Sequence, residues 1–142
     1  LAATQRFADQ ALASWRVHTD HVWGAAFSPD GKVVASGSSD GSVILWDVAQ
    51  RQPIKRLEGI HPGLGILRVA FSPGGELLAA GTSDGAILLW DVASRRFLRT
   101  LNGHRASVLN LAFNRDGNRL VSGSASGAVR GTGTGTPLAF AA

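Results

Sequence analysis

Short runs of apolar residues, separated by small and polar turn residues, follow one another along most of the chain. The runs at Val43 to Trp46 and Ile87 to Trp90 are short, rich in branched and aromatic side chains, and preceded by Ser, Asp and Gly. Runs of this length and composition, bounded by turn residues, favour strands over helices. The pattern therefore predicts an all-β fold made of short antiparallel strands.

The pattern recurs along the chain at a nearly constant offset. Residues 27–49 align with residues 71–93 without a gap, with 14 identities in 23 positions and an offset of 44. A third copy, residues 113–130, matches the first at 8 of 18 positions. A period of about 40 to 45 residues is typical of β-propeller blades. Each copy is therefore predicted to be one meander of four strands, a to d.

Turn signals stand at the same places in each copy. In each copy a turn that contains Asp-Gly or Gly-Gly follows a Phe and predicts the hairpin between strands a and b. Ser-Asp-Gly predicts the turn between strands b and c. The a–b hairpins are predicted at 28–31, 72–75 and 115–117, the b–c turns at 39–41 and 83–85, and strand d at 54–57 and 97–101.

The apolar positions of strand a depart from strict alternation. In the first copy they are Val22, Ala25 and Phe27, a spacing of three and then two, and the other copies keep this spacing at 66, 69, 71 and at 108, 111, 113. Because a regular strand has a period of two, the extra residue predicts a β-bulge in strand a of each copy.

These features resemble a known repeat family. The Trp-Asp pairs at 46–47 and 90–91, the Gly-His pair at 103–104 and the Ser-Asp-Gly turns are similar to those of WD40 repeats, over residues 15–130. The resemblance implies WD40 β-propeller blades, each a four-stranded antiparallel meander, in a ring that usually has seven blades and serves as a platform for protein complexes. Three blades predict a partial or open propeller, since propellers have about 4 to 8.

The chain divides into three predicted parts. Residues 1–13 are Ala-rich and predict a helical or disordered N-terminal segment, residues 14–130 hold the repeats (14–53, 54–96 and an incomplete 97–130), and residues 131–142 form a low-complexity tail of Gly and Thr. An open row of blades is expected to expose apolar faces. Contact with remaining propeller blades, or self-association, is therefore expected.

His18, Ser36 and Asp40 combine the residue types of a hydrolase triad. Ser36, however, lies within a predicted strand and has no nucleophile elbow around it, so catalysis is not favoured. The WD40 resemblance instead implies a structural tetrad, in which a loop His, a hydroxyl of strand b, the turn Asp and the Trp of strand c are hydrogen-bonded. The implied tetrad residues are His18, Ser36, Asp40, Trp46, His61, Asp84, Trp90, His104 and Ser122.

The second and third copies depart from this tetrad. Ala80 replaces the hydroxyl in the second copy, where Thr82, two residues further on, is the candidate substitute. In the third copy Ser126 replaces the turn Asp and Thr132 stands in place of the Trp. The third network is therefore expected to be broken.

Composition and charge mainly argue against particular kinds of site and partner. The chain has no Cys, and three of its four His recur once per blade, far apart around a ring, so neither a metal site nor a cofactor is predicted. The net charge of +4 would suit nucleic acid, but the 12 Arg and 2 Lys are scattered, which does not favour it. No apolar run approaches the ~18 residues that span a membrane, and no signal peptide is evident, so no membrane association and a cytoplasmic location are predicted.

The favoured function is a non-enzymatic scaffold for protein–protein interaction. The alternative is a sensor or regulatory propeller attached to a larger signalling enzyme, such as a kinase, a protease or a nucleotide-switch ATPase, which the upstream sequence would reveal. In WD40 repeats, partners commonly contact side chains around the strand a bulge and just before the turn Asp. The partner-binding residues implied in this way are His21, Trp23, Ser39, Leu67, Ser83, Ser107 and Leu109. Trp23 is favoured because Trp is enriched in interaction hot spots.

Overall fold

All regular elements in the described part of the chain are β-strands. The structure is a computed structural model that describes residues 16–57 and 64–132. Eleven strands in these residues form three antiparallel sheets, and the predicted all-β class is confirmed. The strands are β1 (Val22–Phe27), β2 (Val33–Ser38), β3 (Val43–Asp47), β4 (Gln52–Leu57), β5 (Ile66–Phe71), β6 (Leu77–Thr82), β7 (Ile87–Asp91), β8 (Arg96–Leu101), β9 (Val108–Phe113), β10 (Leu120–Ser124) and β11 (Val129–Gly131).

Each sheet is a meander in which neighbours in sequence are neighbours in space. The first two sheets have the orders β1-β2-β3-β4 and β5-β6-β7-β8, which confirms the predicted four-stranded blades, and the third has β9, β10 and β11. Side chains close the a–b hairpins. In the first, the Ser28 hydroxyl accepts the amide of Val33 at 3.1 Å and donates to the Asp30 carboxylate at 2.7 Å. This is the role expected of Ser and Asp in turns.

Strand a carries the predicted bulge in all three sheets. The β1–β2 register shifts between Val22 and Gly24, the β5–β6 register shifts between Ile66 and Arg68, and the β9–β10 register shifts at the corresponding place. The extra residues are Trp23, Leu67 and Leu109. The spacing of apolar residues therefore predicted the bulges correctly, and it placed three of the predicted partner-binding residues on them.

The sheets pack face to face and form two apolar cores. Strand β6 is buried on both faces, since Ala80 packs toward the first sheet and Ala79 toward the third. The core between the first and second sheets comprises Ala35, Val43, Leu45, Leu57, Ile66, Leu78, Ala80, Leu88 and Trp90. The core between the second and third sheets comprises Ala79, Ile87, Leu89, Leu101, Val108 and Leu120. In the described residues the row of three sheets does not close into a ring.

A glycine in strand b sets the distance between neighbouring sheets. A Cβ atom built on Gly81 would lie 2.6 Å from Cγ1 of Val108, and one built on Gly37 would lie 3.1 Å from Cβ of Ile66. Both glycines thus make room for the first apolar residue of strand a of the next sheet. A glycine within a strand is expected where another part of the protein approaches this closely.

The third sheet extends past the predicted end of the repeats. Strand β11 runs to Gly131, and Thr132 is buried, with its amide donating to the Leu120 carbonyl at 2.8 Å and its hydroxyl accepting the Leu120 amide at 2.7 Å. The first two residues of the predicted tail 131–142 therefore belong to the sheet. The rest of that tail and the predicted segment 1–13 lie outside the described residues, and the division of the chain into parts stays a prediction. No helix in the described residues is long and apolar enough to cross a bilayer.

Candidate functional site

A chain of hydrogen bonds joins the interior of the first sheet to its loop edge. Nε2 of His18 lies 2.7 Å from Oγ of Ser36, and the Trp46 indole N–H donates to the same oxygen at 2.8 Å. On the other side of the ring, Nδ1 of His18 lies 3.1 Å from Oδ2 of Asp40. The structure thus brings together the four side chains that the WD40 resemblance implied for the first blade.

Asp40 lies at the centre of the b–c turn and is almost completely buried, with 6% of its side chain exposed. Its carboxylate accepts the Thr19 amide at 3.0 Å, the Ser42 amide at 2.9 Å and the Ser42 hydroxyl at 2.5 Å. Burial acts to raise the pKa of Asp40, but these hydrogen bonds and the one with His18 outweigh it and hold the pKa well below its ordinary value of 3.8. Asp40 is therefore a charged anchor that fixes the turn and the loop before β1.

The second sheet differs at the predicted substitution. Ala80 stands at the position of Ser36 and is fully buried in the core. The hydroxyl of Thr82 bonds to the Asp84 carboxylate and accepts the Ala86 amide at 3.0 Å. The Thr82 hydroxyl is therefore hydrogen-bonded within the b–c turn. His61, the remaining predicted member, lies outside the described residues.

The third sheet keeps one link of the network. Nε2 of His104 lies 2.8 Å from Oγ of Ser122, and both residues are buried. Ser126, which replaces the turn Asp, instead lies 3.1 Å from the Ser124 hydroxyl. Burial, and then the charge of Arg130, lower the pKa of His104, which keeps the imidazole neutral. The third blade thus holds its histidine without the carboxylate that His18 contacts.

Replacing Trp46 with phenylalanine tests the Trp46–Ser36 hydrogen bond. We expect Trp46→Phe to lower the free energy of unfolding by about 1 to 3 kcal/mol, because the indole N–H is lost and the buried Ser36 hydroxyl loses a donor. Chemical denaturation measures this. Trp90→Phe is the matched control, since Ala80 offers no hydroxyl at the corresponding place, and it should cost less. Equal losses in the two variants would show that ring volume, and not the hydrogen bond, is what matters.

The Ser–His–Asp arrangement of the first sheet is enclosed. Ser36 is 6% exposed, and its oxygen already bonds to both His18 and Trp46. A nucleophile must be reachable by its substrate and have a free path of attack. The geometry therefore suits a structural network better than a catalytic one. In the described residues no group of three or more His, Asp or Glu side chains is placed to hold a metal ion.

The predicted partner-binding residues lie along one edge of the three sheets, where the d–a and b–c loops meet. At this edge the Ser39 amide donates to the His21 carbonyl at 2.8 Å, and the Ser107 hydroxyl donates to the Ser83 carbonyl at 2.9 Å. We call this edge the partner face, defined by His21, Trp23, Ser39, Leu67, Ser83, Ser107 and Leu109. Trp23, His21 and Leu109 are exposed, and the other four are partly exposed.

Trp23 is the largest exposed apolar side chain of the partner face. It is 50% exposed, its indole N–H donates to the Ser39 hydroxyl, and its ring stacks on that of His21 with a centroid distance of 5.7 Å. His21 is in turn held by Asp20, whose carboxylate lies 2.8 Å from Nδ1. The ring of Trp23 thus contacts His21 and Ser39 while half of its surface faces solvent.

Two neighbours of these sites were missed by sequence reasoning. Ser42 contacts both His18, at 3.1 Å, and Asp40. Comparison of the repeats gave no signal for it, because the corresponding residues are Ala86 and Ala128. Arg68, beside the second bulge, is exposed and donates to the Leu67 carbonyl at 2.7 Å. No sequence motif indicated a positive charge at this position of the partner face.

Known proteins resemble this chain in both sequence and structure. The relatives include the small ribosomal subunit protein RACK1z of Arabidopsis thaliana, 49% identical over 41 residues, and human striatin-4, 50% identical over 36 residues. These matches cover 29% and 25% of the chain, but only 12% and 5% of those proteins. The crystal structure of the RRP9 WD40 repeats superposes with a TM-score of 0.77 at 30% identity, covering 82% of this chain and 36% of that one.

The family model described as WD domain, G-beta repeat matches the chain three times. The matched segments are residues 9–47, 51–91 and 95–130, which together make up most of the sequence. The three matched segments correspond in order to the three sheets. The superposition on WD40 structures confirms the propeller architecture that the repeats predicted. The family consists in general of non-enzymatic scaffold repeats. The chain belongs to the WD40 repeat family.

Proposed function

We propose that this chain is a non-catalytic scaffold that binds other proteins through the partner face. WD40 repeats are typical of interaction scaffolds. The three sheets form a rigid framework with two buried cores, and loops on such a framework are suited to binding. The enclosed Ser36 hydroxyl supports a function without catalysis.

Trp23 is the single observation that carries the proposal. An indole that is half exposed, yet held by Ser39 and stacked on His21, has already lost much of its side-chain freedom. A partner that covers it therefore gains apolar burial at a small cost in entropy. Trp side chains of this kind are common among interface hot spots. The partner is expected to be a protein segment with an apolar side chain that packs on this ring.

A peptide-display library provides a defined probe while the partner is unidentified. The immobilised chain would be used to select peptides, and the selected peptides would be synthesised and titrated by calorimetry. We expect Trp23→Ala to weaken their binding by at least about thirtyfold, since loss of a hot spot costs about 2 kcal/mol or more.

Leu98→Ala is the matched control for this experiment. Leu98 is also 50% exposed, but it lies on β8, away from the partner face. Its variant should bind the selected peptides as the unchanged chain does. Peptides that bind Trp23→Ala with unchanged affinity, or a library that yields no binder, would contradict the proposal.

The proposal includes a cytoplasmic location and protein partners, with neither membrane nor nucleic acid. A chain without Cys is compatible with a reducing compartment. The scattered Arg and Lys residues form no basic run in the sequence. Binding of the selected peptides should therefore depend only weakly on salt, unlike binding to nucleic acid.

A further inference from the structure

The bulges of β1 and β5 lie side by side on the partner face. Gly24 follows the bulge residue Trp23 in β1, and Arg68 follows the bulge residue Leu67 in β5. A Cβ atom built on Gly24 would lie 3.1 Å from the Leu67 carbonyl oxygen and 3.2 Å from Cα of Arg68. Because Gly24 has no side chain, the two strands can approach this closely. The approach brings Arg68 next to the backbone of Trp23.

The guanidinium of Arg68 contacts the backbone of both bulges through one of its nitrogens. Nη1 donates to the Leu67 carbonyl at 2.7 Å and lies 3.5 Å from the Trp23 carbonyl oxygen. In residues 16–57 and 64–132, Nε and Nη2 have no hydrogen-bond acceptor, and Arg68 forms no ion pair with a carboxylate. A guanidinium has five N–H donors in a planar fork that matches a carboxylate. The exposed Arg68 can therefore bind a carboxylate of a partner.

The other charged groups at this edge do not neutralise Arg68. The Asp20 carboxylate accepts the His21 amide at 2.7 Å and lies 2.8 Å from Nδ1 of His21. Asp84 is hydrogen-bonded within the b–c turn of the second sheet. Arg105, in the loop before β9, is exposed and forms no ion pair with a described carboxylate. The charge that this edge offers to a partner is therefore positive.

We propose that the protein segment bound by the partner face is acidic. It packs an apolar side chain on the Trp23 ring and pairs a carboxylate of Asp or Glu with Arg68. The two side chains lie within about three residues of each other in the segment, since three extended residues span about 10 Å. This inference rests on the proposed function, because it assigns the chemistry of the partner at the same face.

A basic segment is the alternative occupant of this face. An exposed indole can bind a cation over its ring. At the partner face, however, the unpaired charge of Arg68 lies beside Trp23 and repels a cationic side chain, whereas it attracts a carboxylate. The charge of the bound segment therefore distinguishes the two occupants.

A mixture of two peptide-display libraries is the probe. Each library has a fixed central Phe with three variable positions on either side, which are Asp, Glu or Ser in the acidic library and Lys, Arg or Ser in the basic one. Equal amounts are captured on the immobilised chain and counted by sequencing. We expect acidic peptides to be recovered at least about tenfold more often than basic ones, since a hydrogen-bonded charge contributes about this much to binding.

Substitutions of Arg68 test whether this side chain sets the preference. Arg68→Gln removes the charge but keeps an NH2 group that can donate to the Leu67 carbonyl, and it should reduce the acidic excess to about threefold or less. Arg68→Glu should reverse the preference. Arg115→Gln is the matched control, since it removes the same charge from an exposed position in the a–b hairpin of the third sheet, at the opposite edge. It should leave the acidic excess unchanged. Thermal melts show that each variant remains folded.

Trp23→Ala separates this inference from the proposed function. Under the proposed function, Trp23→Ala loses capture of both libraries. If capture requires Trp23 but shows no acidic excess, or if the excess persists in Arg68→Gln or falls equally in Arg115→Gln, the acidic partner is wrong while the proposed function stands. If Trp23→Ala captures peptides as the unchanged chain does, or if neither library is captured at all, the proposed function fails and this inference fails with it.

Discussion

Replacing Gly85 with alanine is expected to lower the free energy of unfolding by about 2 to 4 kcal/mol. Gly85 lies in the b–c turn of the second sheet with a φ of +96°, where an L side chain costs about 1 kcal/mol. The new Cβ would also collide with the backbone of the loop before β9. It would contact the His104 carbonyl oxygen and lie 2.8 Å from the His104 carbonyl carbon and 2.9 Å from the Ala106 oxygen. Backbone cannot move aside as a flexible side chain does, so overpacking adds about 1 to 3 kcal/mol.

Gly127→Ala is the matched control for this prediction. Gly127 occupies the same turn of the third sheet with a φ of +87°, and a Cβ built on it has nothing within 4 Å. It should cost only the backbone strain, about 1 kcal/mol. Chemical denaturation of both variants, at matched protein concentration, measures the difference. Equal losses would show that Gly85 is required for its own conformation and not for the close approach of the two sheets.

The features that repeat along this chain could be predicted from sequence. Strand a of each copy has the same interrupted apolar spacing, and the structure places the bulges at Trp23, Leu67 and Leu109. The a–b hairpins could also be predicted from sequence, because Ser28 and Asp30 are turn-forming residues whose hydrogen bonds are local. Such features depend on few neighbours, so a pattern of residue types is enough to locate them.

Contacts that occur only once in the chain could not be predicted in this way. Ser42 completes the surroundings of Asp40, but no other copy has a hydroxyl at this position. Thr132 stands where the other copies have Trp, and its hydroxyl accepts a hydrogen bond from the Leu120 amide. Both effects depend on the distance between atoms of different strands. A residue such as Ser42 or Thr132, which forms a hydrogen bond that the other copies lack, therefore cannot be recognised by comparing the repeats.

The turns between strands c and d show a second reason for missed features. Arg51 and Arg95 adopt φ values of +57° and +60° at corresponding positions, where Gly would be the usual residue. Because Arg carries no turn signal, the sequence did not mark these left-handed residues. The register also shifts between β3 and β4, at Leu45 and Trp46, and between β7 and β8, at Leu89 and Trp90, and the sequence analysis did not predict these shifts.

Asp40→Asn is expected to lower the free energy of unfolding at neutral pH by about 2 to 3 kcal/mol. The carboxylate accepts hydrogen bonds from the Thr19 amide and from Ser42, and it contacts His18, while almost no part of it is exposed. An amide of the same shape has one acceptor oxygen in place of two, and its NH2 group would face buried donors. Leaving buried donors without an acceptor costs about 1 to 3 kcal/mol, and more where a charged group is involved.

The pH dependence of this loss identifies its electrostatic part. The pKa of Asp40 is lowered on folding, so the stability due to its charge is fully present above the ordinary pKa of 3.8 and is lost as the pH falls below it toward the folded-state pKa. The difference between the unchanged chain and Asp40→Asn should therefore shrink as the pH is lowered below about 4. Asp30→Asn, in an exposed hairpin of the same sheet, is the control and should change stability much less. If the difference for Asp40→Asn stays constant across this pH range, shape and not charge holds the turn, and the anchoring role of the carboxylate is wrong.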